Sequence, residues 1–347
     1  MSTEIIGMVG TKQVSESHGS FDGPPIDAAY LTRFAQAHEA TGFDRVLIGY
    51  GATGPDGFAV AAHVLYATSA LKVLIAYRPG FVAPSLVARK LATLDQLSGG
   101  GRVAIHHITD GDELDQKRDG DFADHGRRYA HTAEFMSMLH RELTGIPLYF
   151  SGTSAAAVEV GACHADVYML WGEPVDQVAE RIAQIRSAAV RHGRTVRFSL
   201  SVQPIMAETE EAAWRSAEEI RSATARRVGE AKTAQMYGAH VPTRGAQLFG
   251  FRESSSVGSQ RRQRRAAERD ARDERLRCGV TKLTGHGGNS TALVGTPRQV
   301  SEALMAYRRV GVDTVLIRGF NPLDDVVERG PRVVPLPRAG REHPDRN

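Results

Sequence analysis

Arg45-Val-Leu-Ile48, the loop Gly49-Tyr-Gly-Ala-Thr-Gly-Pro-Asp56, the apolar stretch Val60–Ala67 and then Lys72-Val-Leu-Ile-Ala76 follow one another without interruption. Two short β-branched runs flank a turn-rich loop and a helix-length segment, which is the pattern of a parallel βαβ unit. The same rhythm runs along the whole chain. Further strand-like runs lie at Glu4–Val9, Val103–Ile108, Leu148–Ser151, Asp166–Leu170, Val196–Pro204 and Asp313–Arg318. Eight such units predict a closed (β/α)8 TIM barrel, a fold whose active sites lie at the C-terminal ends of the strands.

Between these runs the periodicity predicts helices over Asp27–Thr41, Ser85–Leu97, Tyr129–Leu143, Val175–His192, Glu208–Ala231 and Gln299–Val310. Asp110–Gly126 reads as a polar loop. A long insertion, about 232–288, separates the seventh and eighth units, and the whole of residues 1–347 reads as one barrel domain. A barrel with insertions reaches 347 residues as a single domain, and 41% hydrophobic residues supply its core. No apolar run approaches the length of a membrane span. Strand one begins at once, so no signal peptide is expected, and two cysteines (Cys163 and Cys278) suit a reducing cytoplasm. The net charge of +3 does not suggest nucleic-acid binding. Charge is nevertheless uneven: Arg261–Arg277 holds eight arginines against four acidic residues. Such a run is most often a solvated helix. Its place after strand seven also allows a cationic lid over an anionic ligand.

Candidate chemistry gathers at the strand ends. Ser151-Gly152-Thr153-Ser154 joins strand five to a helix, offering backbone N–H groups and a helix dipole to an anion. An ordinary N-cap by Thr153 or Ser154 is the competing reading, and within a barrel the two weigh about equally. Strand four ends in His106 and His107. Alternation allows only one of them to face the barrel, and His107 is the catalytic candidate. Asp124-His125-Gly-Arg-Arg128-Tyr129 places a histidine, a cation and a phenol at a helix start, and Trp171-Gly-Glu173 ends strand six. No metal-site spacing, nucleophile elbow or P-loop is present.

Several stretches, in order, give the chain a family resemblance. They are Thr41-Gly-Phe-Asp-Arg-Val-Leu-Ile48, Arg78-Pro-Gly-Phe81 with Ala88–Asp95, Asp124-His125 through Arg128-Tyr129, Trp171-Gly-Glu173, Asn289–Gly295 and Arg318-Gly-Phe320. On these the chain resembles the bacterial luciferase-like flavin-dependent monooxygenases, and within them the alkanesulfonate monooxygenase branch. The resemblance implies FMN, used as FMNH2 delivered by a separate NAD(P)H:FMN reductase. It implies O2 and a small organosulfur substrate, a sulfonate or sulfone, oxidised through a C4a-peroxyflavin. A homo-oligomer, dimer or tetramer, is implied as well. Carried onto this chain, Gly152, Thr153 and Ser154 would hold the FMN phosphate. Thr109, His125 and Tyr129 would line the ribityl chain and ring, and Asp56 would lie near the flavin face.

Departures from that branch concern the substrate side. Gly10-Thr11-Lys12 stands where a histidine is usual, and Gly54 where a cysteine often occurs. Ser201 and Gln203 replace charged side chains on strand seven. His286 stands for a lid arginine, and Phe320 for a tyrosine after strand eight. His286 and Gln203 join His107 as catalytic candidates. Loss of charged donors favours a neutral substrate such as a sulfone. The same barrel could instead serve a deazaflavin, or bind flavin without turnover. The connection into strand five is also shorter than in the resembling family, with Gly145 running directly into Ile146.

Overall fold

A computed structural model describes residues 3–15, 19–20, 23–80, 82–109, 111, 113–236, 275–277 and 291–337. Eight parallel strands close on themselves. In chain order they are β1 (Glu4–Val9), β2 (Arg45–Ile48), β3 (Lys72–Tyr77), β4 (Val103–His107), β5 (Leu148–Ser151), β6 (Val167–Trp171) and β7 (Arg197–Met206). After two short strands, β8 (Leu276–Arg277) and β9 (Thr291–Gly295), the eighth barrel strand β10 (Thr314–Ile317) pairs with both β7 and β1. Each strand is hydrogen-bonded to its neighbours in sequence, as right-handed βα units require.

Helices α1 (Ala28–Ala40), α2 (Gly57–Ala67), α3 (Pro84–Leu97), α4 (Glu113–Arg118), α5 (His125–Glu142), α6 (Ala155–His164), α7 (Val175–Arg191), α8 (Glu210–Met236), α9 (Pro297–Arg309) and α10 (Pro322–Val333) follow the strands. Two apolar layers result from the period of two along each strand. Val73, Ile75, Val103 and Ile105 pack outward with helix residues such as Leu31, Val64 and Met136. Ile6, Leu47, Leu74, Ala104, Tyr149 and Val167 pack only with other strand residues, and fill the lumen. β2 and β10 are buried along their whole length, as expected where both faces are covered.

The N-terminal ends of the strands are fastened by a repeated device. Asp44, Asp166 and Asp313 stand just before β2, β6 and β10. Each carboxylate accepts the backbone N–H that opens the neighbouring barrel strand, from Ile5, Leu148 and Phe198 at 2.7, 2.9 and 2.9 Å. The amide of each aspartate in turn donates to that residue's carbonyl. Before β4 the corresponding position is Arg102. Its buried guanidinium donates to the carbonyls of Leu65, Thr68 and Leu71 and to the Thr68 hydroxyl, locking the turn between α2 and β3.

Three elements differ from expectation. The polar segment after β4 contains helix α4, six residues long with only Gln116 buried. Thr291–Gly295 is a parallel strand pairing with Val202–Met206, the part of β7 beyond its contact with β6. Leu276–Arg277, the end of the arginine-rich run, pairs antiparallel with it, and Arg275 is ion-paired to Glu210 at 3.0 Å. Most of the insertion lies outside the described residues. Gly145 turns the chain from α5 into β5 with φ of 80°, a left-handed conformation suited to glycine. Among the described residues no helix is long and apolar enough to cross a membrane.

Candidate active site

Strand phase decides which histidine of β4 can serve a site in the barrel. Ala104 and Ile108 belong to the lumen cluster, so His106 between them faces inward. His107 faces outward. It is fully buried between the sheet and α5, with Nδ1 at 3.4 Å from the Tyr149 carbonyl and its ring 6.0 Å from that of Phe135. Burial pushes it down to about 3, so it is a neutral packing residue. The expectation of catalysis by His107 is therefore corrected: the histidine at the lumen is His106. Its Nε2 lies 3.0 Å from Ser151 Oγ at the end of β5, and burial holds it neutral, down at about 4.

Ser151 opens the loop into α6. Ser154 caps that helix, its hydroxyl accepting from Ala157 N at 3.2 Å. The amides of Ala155 and Ala156 then have no intrahelical acceptor and face the loop. Gly152 sits where a larger residue will not fit: a Cβ there would overlap the Ala157 methyl and come within 3.3 Å of Tyr129 Oη. Its carbonyl accepts from Tyr168 Oη at 2.9 Å. Thr153 is half-buried. Tyr129 is buried on the first turns of α5, with His125 exposed beside it at 4.7 Å between ring centres. Thr109, just past β4, donates its hydroxyl to Thr132 Oγ1 at 3.0 Å, which in turn donates to the Arg128 carbonyl.

The fold thus brings Thr109, His125, Tyr129, Gly152, Thr153 and Ser154 to adjoining strand ends and helix starts. Asp56 stands apart, at the exposed start of α2, where its carboxylate accepts from Ala59 N at 2.9 Å as an N-cap. Gln203 is fully buried on β7 in the same inward phase as Ser199 and Ser201. His286 lies outside the described residues. Thr11, where the resembling branch has a histidine nearby, donates to the Pro25 carbonyl and helps seat α1. Phe320 is buried with Ile205, Ala292 and Val294.

Arg78, which the sequence shows only as part of a family stretch, anchors a network at this mouth that its sequence neighbours do not reveal. Arg78, after β3, is buried and ion-paired with Asp115 at 3.3 Å and with Asp119. Its guanidinium lies 5.0 Å over the Tyr50 ring, and Tyr50 Oη donates to Asp119 at 2.8 Å. Asp115 also accepts from Ala52 N. Three loops are fastened together by this network. The Glu113–Lys117 pair at i,i+4 was the one local sign that these acidic residues lie on a helix.

A family model for luciferase-like monooxygenases matches residues 6–146 and 139–314. The chain belongs to the luciferase-like monooxygenase family. That makes it a flavin-dependent oxidoreductase of the monooxygenase type. The Gly145–Ile146 junction falls where the two matched stretches overlap. Among solved structures it is similar to EDTA monooxygenase from Chelativorans sp. BNC1, at 16% identity and TM-score 0.71, over 99% of this chain and 95% of that one. It is similar to riboflavin lyase with modified FMN and riboflavin, at 18% and 0.69, over 97% and 91%. An F420-dependent secondary alcohol dehydrogenase matches at 14% and 0.65, over 97% and 100%. At these identities the likeness is one of fold.

Proposed function

We propose that this chain is the oxygenase of a two-component system, using FMNH2 from a separate NAD(P)H:FMN reductase to oxidise a small, neutral organosulfur compound such as a sulfone. The observation that carries the cofactor reading is the loop between β5 and α6. It offers backbone amides and the hydroxyls of Ser151 and Thr153, contains no carboxylate, and includes a glycine with no room for a side chain. Such a donor set fits a phosphate. Gly152, Thr153 and Ser154 would hold it, and Thr109, His125 and Tyr129 would flank the rest of the cofactor. Reduced flavin supplies the electrons with which O2 is activated. The protein's share is to orient the ligands and keep water out.

Substrate charge is argued from the strands. The inward-facing residues near their C-terminal ends, among them Met8, Ala76, Met169, Ser201 and Gln203, carry no formal charge, and burial keeps His106 neutral. A sulfonate would find no strand-borne cation there, and of the arginines just beyond β3 and β10, Arg78 is already ion-paired with Asp115 and Asp119, whereas a sulfone needs only hydrogen-bond donors. Gln203 and His286 are the groups we assign to contact with the substrate. Deazaflavin-dependent hydride transfer is the second reading, supported by the full-length fold match to the F420-dependent dehydrogenase.

Fluorescence titration of FMN, FMNH2 and F420 under anaerobic conditions, followed by reductase-coupled oxidation of a panel of sulfones and sulfonates, tests this. Selective FMNH2 binding and turnover of sulfones is the expected result. Preference for F420 would replace the monooxygenase reading with hydride transfer, and turnover of sulfonates alone would overturn the neutral substrate.

A further inference from the structure

His106 and Ser151 form a pair whose proton positions can be worked out from what surrounds them. His106 is more than nine-tenths buried in the lumen. A neutral imidazole has one N–H and one bare nitrogen. Nε2 meets Ser151 Oγ at 3.0 Å, while the buried Nδ1 has no partner among the described residues. A buried N–H without an acceptor is rarer, and worse, than a buried acceptor without a donor. The proton therefore belongs on Nε2, leaving Nδ1 bare, and Nε2–H donates to Ser151 Oγ. Ser151 then has no call to donate to His106, and its own O–H is released toward the half-open side of the residue. Gly152, the first residue of the loop with unpaired amides, is next in sequence.

We propose that His106 is a positioning residue that fixes the Ser151 hydroxyl as a donor to the anionic group held by the Gly152–Ser154 loop. The idea rests on the phosphate-loop reading above and adds to it a hydroxyl whose direction is set from inside the barrel. It also explains why a histidine is kept in the lumen with one nitrogen unsatisfied: the ring acts through the nitrogen that is satisfied. Ser154 Oγ likewise accepts a bond, from Ala157 N at the start of α6, so what sets Ser151 apart is that its accepted bond comes from inside the barrel.

The pair predicts two kinds of result. Long-range ¹H–¹⁵N spectra of the ligand-free, full-length protein, with His106 assigned by its loss in H106Q, should show the Nε2–H tautomer. Protonated Nδ1 would overturn the assignment without recourse to any variant's stability. Binding is read by quenching with FMN and with riboflavin, which lacks the phosphate. Ser151→Ala and His106→Leu should each weaken FMN about tenfold, with riboflavin unchanged. The double variant should be no worse than either single one, since both remove the same bond. His106→Gln, which keeps an N–H, should recover most of the affinity. Unchanged FMN binding in S151A, or losses that multiply in the double variant, would sink the proposal while leaving the FMN reading intact. Binding of F420 in place of FMN would remove the monooxygenase reading, and the same variants would then be scored with F420. A wild-type protein that binds neither would end both.

Discussion

The two ends of this barrel are built on opposite terms. At the N-terminal end several charged side chains are engaged by the backbone and side chains around them. Arg102 spends its guanidinium on the turn between α2 and β3, and Glu39 accepts three backbone N–H groups of that same turn. Glu4 holds both Arg45 and the Tyr149 hydroxyl. At the C-terminal end, helix-start amides are left over and His106 keeps a bare nitrogen. One end uses its charged side chains to hold the fold, and the other leaves polar groups for something not encoded in the chain.

The sharpest way to break this contrast is Arg102→Ala. Several carbonyls would lose a charged donor at once, and the buried site would be left hollow. We expect a loss of about 3–5 kcal/mol in urea unfolding, with flavin affinity of the remaining folded protein unchanged. A loss below about 1 kcal/mol would show that water replaces the guanidinium readily, and that this end is not the tightly satisfied one.

A smaller effect separates buried histidines from solvent. His38 and His106 are pushed down to about 4 and His107 to about 3, in each case chiefly by burial. The unfolded chain, titrating near 6.5, binds protons first. Stability is therefore complete above about pH 6.5, falls as pH drops toward 4, and levels off below the folded values. Each histidine contributes roughly 1.4 kcal/mol per pH unit inside that window. Unfolding midpoints at pH 7, 6 and 5 should give this slope, and His38→Gln should remove one histidine's share. An unaltered slope in that variant would mean His38 is solvated, against its packing between Phe34 and Phe43.

These positions also show what sequence could and could not reveal. The strands were legible because runs such as Arg45-Val-Leu-Ile48 are buried on both faces, so their composition is nearly free of competing demands. Which of two adjacent histidines faces inward was not, since the phase of β4 is set by pairing with β3 and β5. Helix α4 was hidden because its surroundings, not an apolar stripe, hold it: Arg78 and Tyr50 come from other loops. β9 was missed because its partner is the far end of an overlong β7. The aspartates before β2, β6 and β10 were in plain sight. Their meaning needs the neighbouring strand, which lies more than 15 residues away in each case. The Ser151–Ser154 loop was legible as a place, and its cap by Ser154 is observed, while its ligand remains the proposal argued above.

At the open end, Gly152→Ala should act on binding more than on folding. The added methyl meets Ala157 and the Tyr129 hydroxyl, so the loop must shift. We expect at least a tenfold weaker FMN complex, about 1.4 kcal/mol, with the melting temperature down by only a few degrees. A variant with wild-type affinity would show that the loop's close packing has nothing to do with the ligand.

The smallest effect is expected at Asp56, and it is small for a reason that makes it informative. The carboxylate accepts a single hydrogen bond, from Ala59 N, at an exposed helix start. Asparagine caps as well as aspartate, so Asp56→Asn should leave stability within about 0.5 kcal/mol. If the residue is only a cap, flavin affinity will not move either. Should FMN binding change severalfold while stability stays put, the charge of Asp56 is felt by the cofactor, and the mouth extends across the barrel to the start of α2. Asp56→Ala makes the complementary cut, removing both cap and charge. A loss of about 1 kcal/mol in stability with no change in binding would assign the residue wholly to the helix.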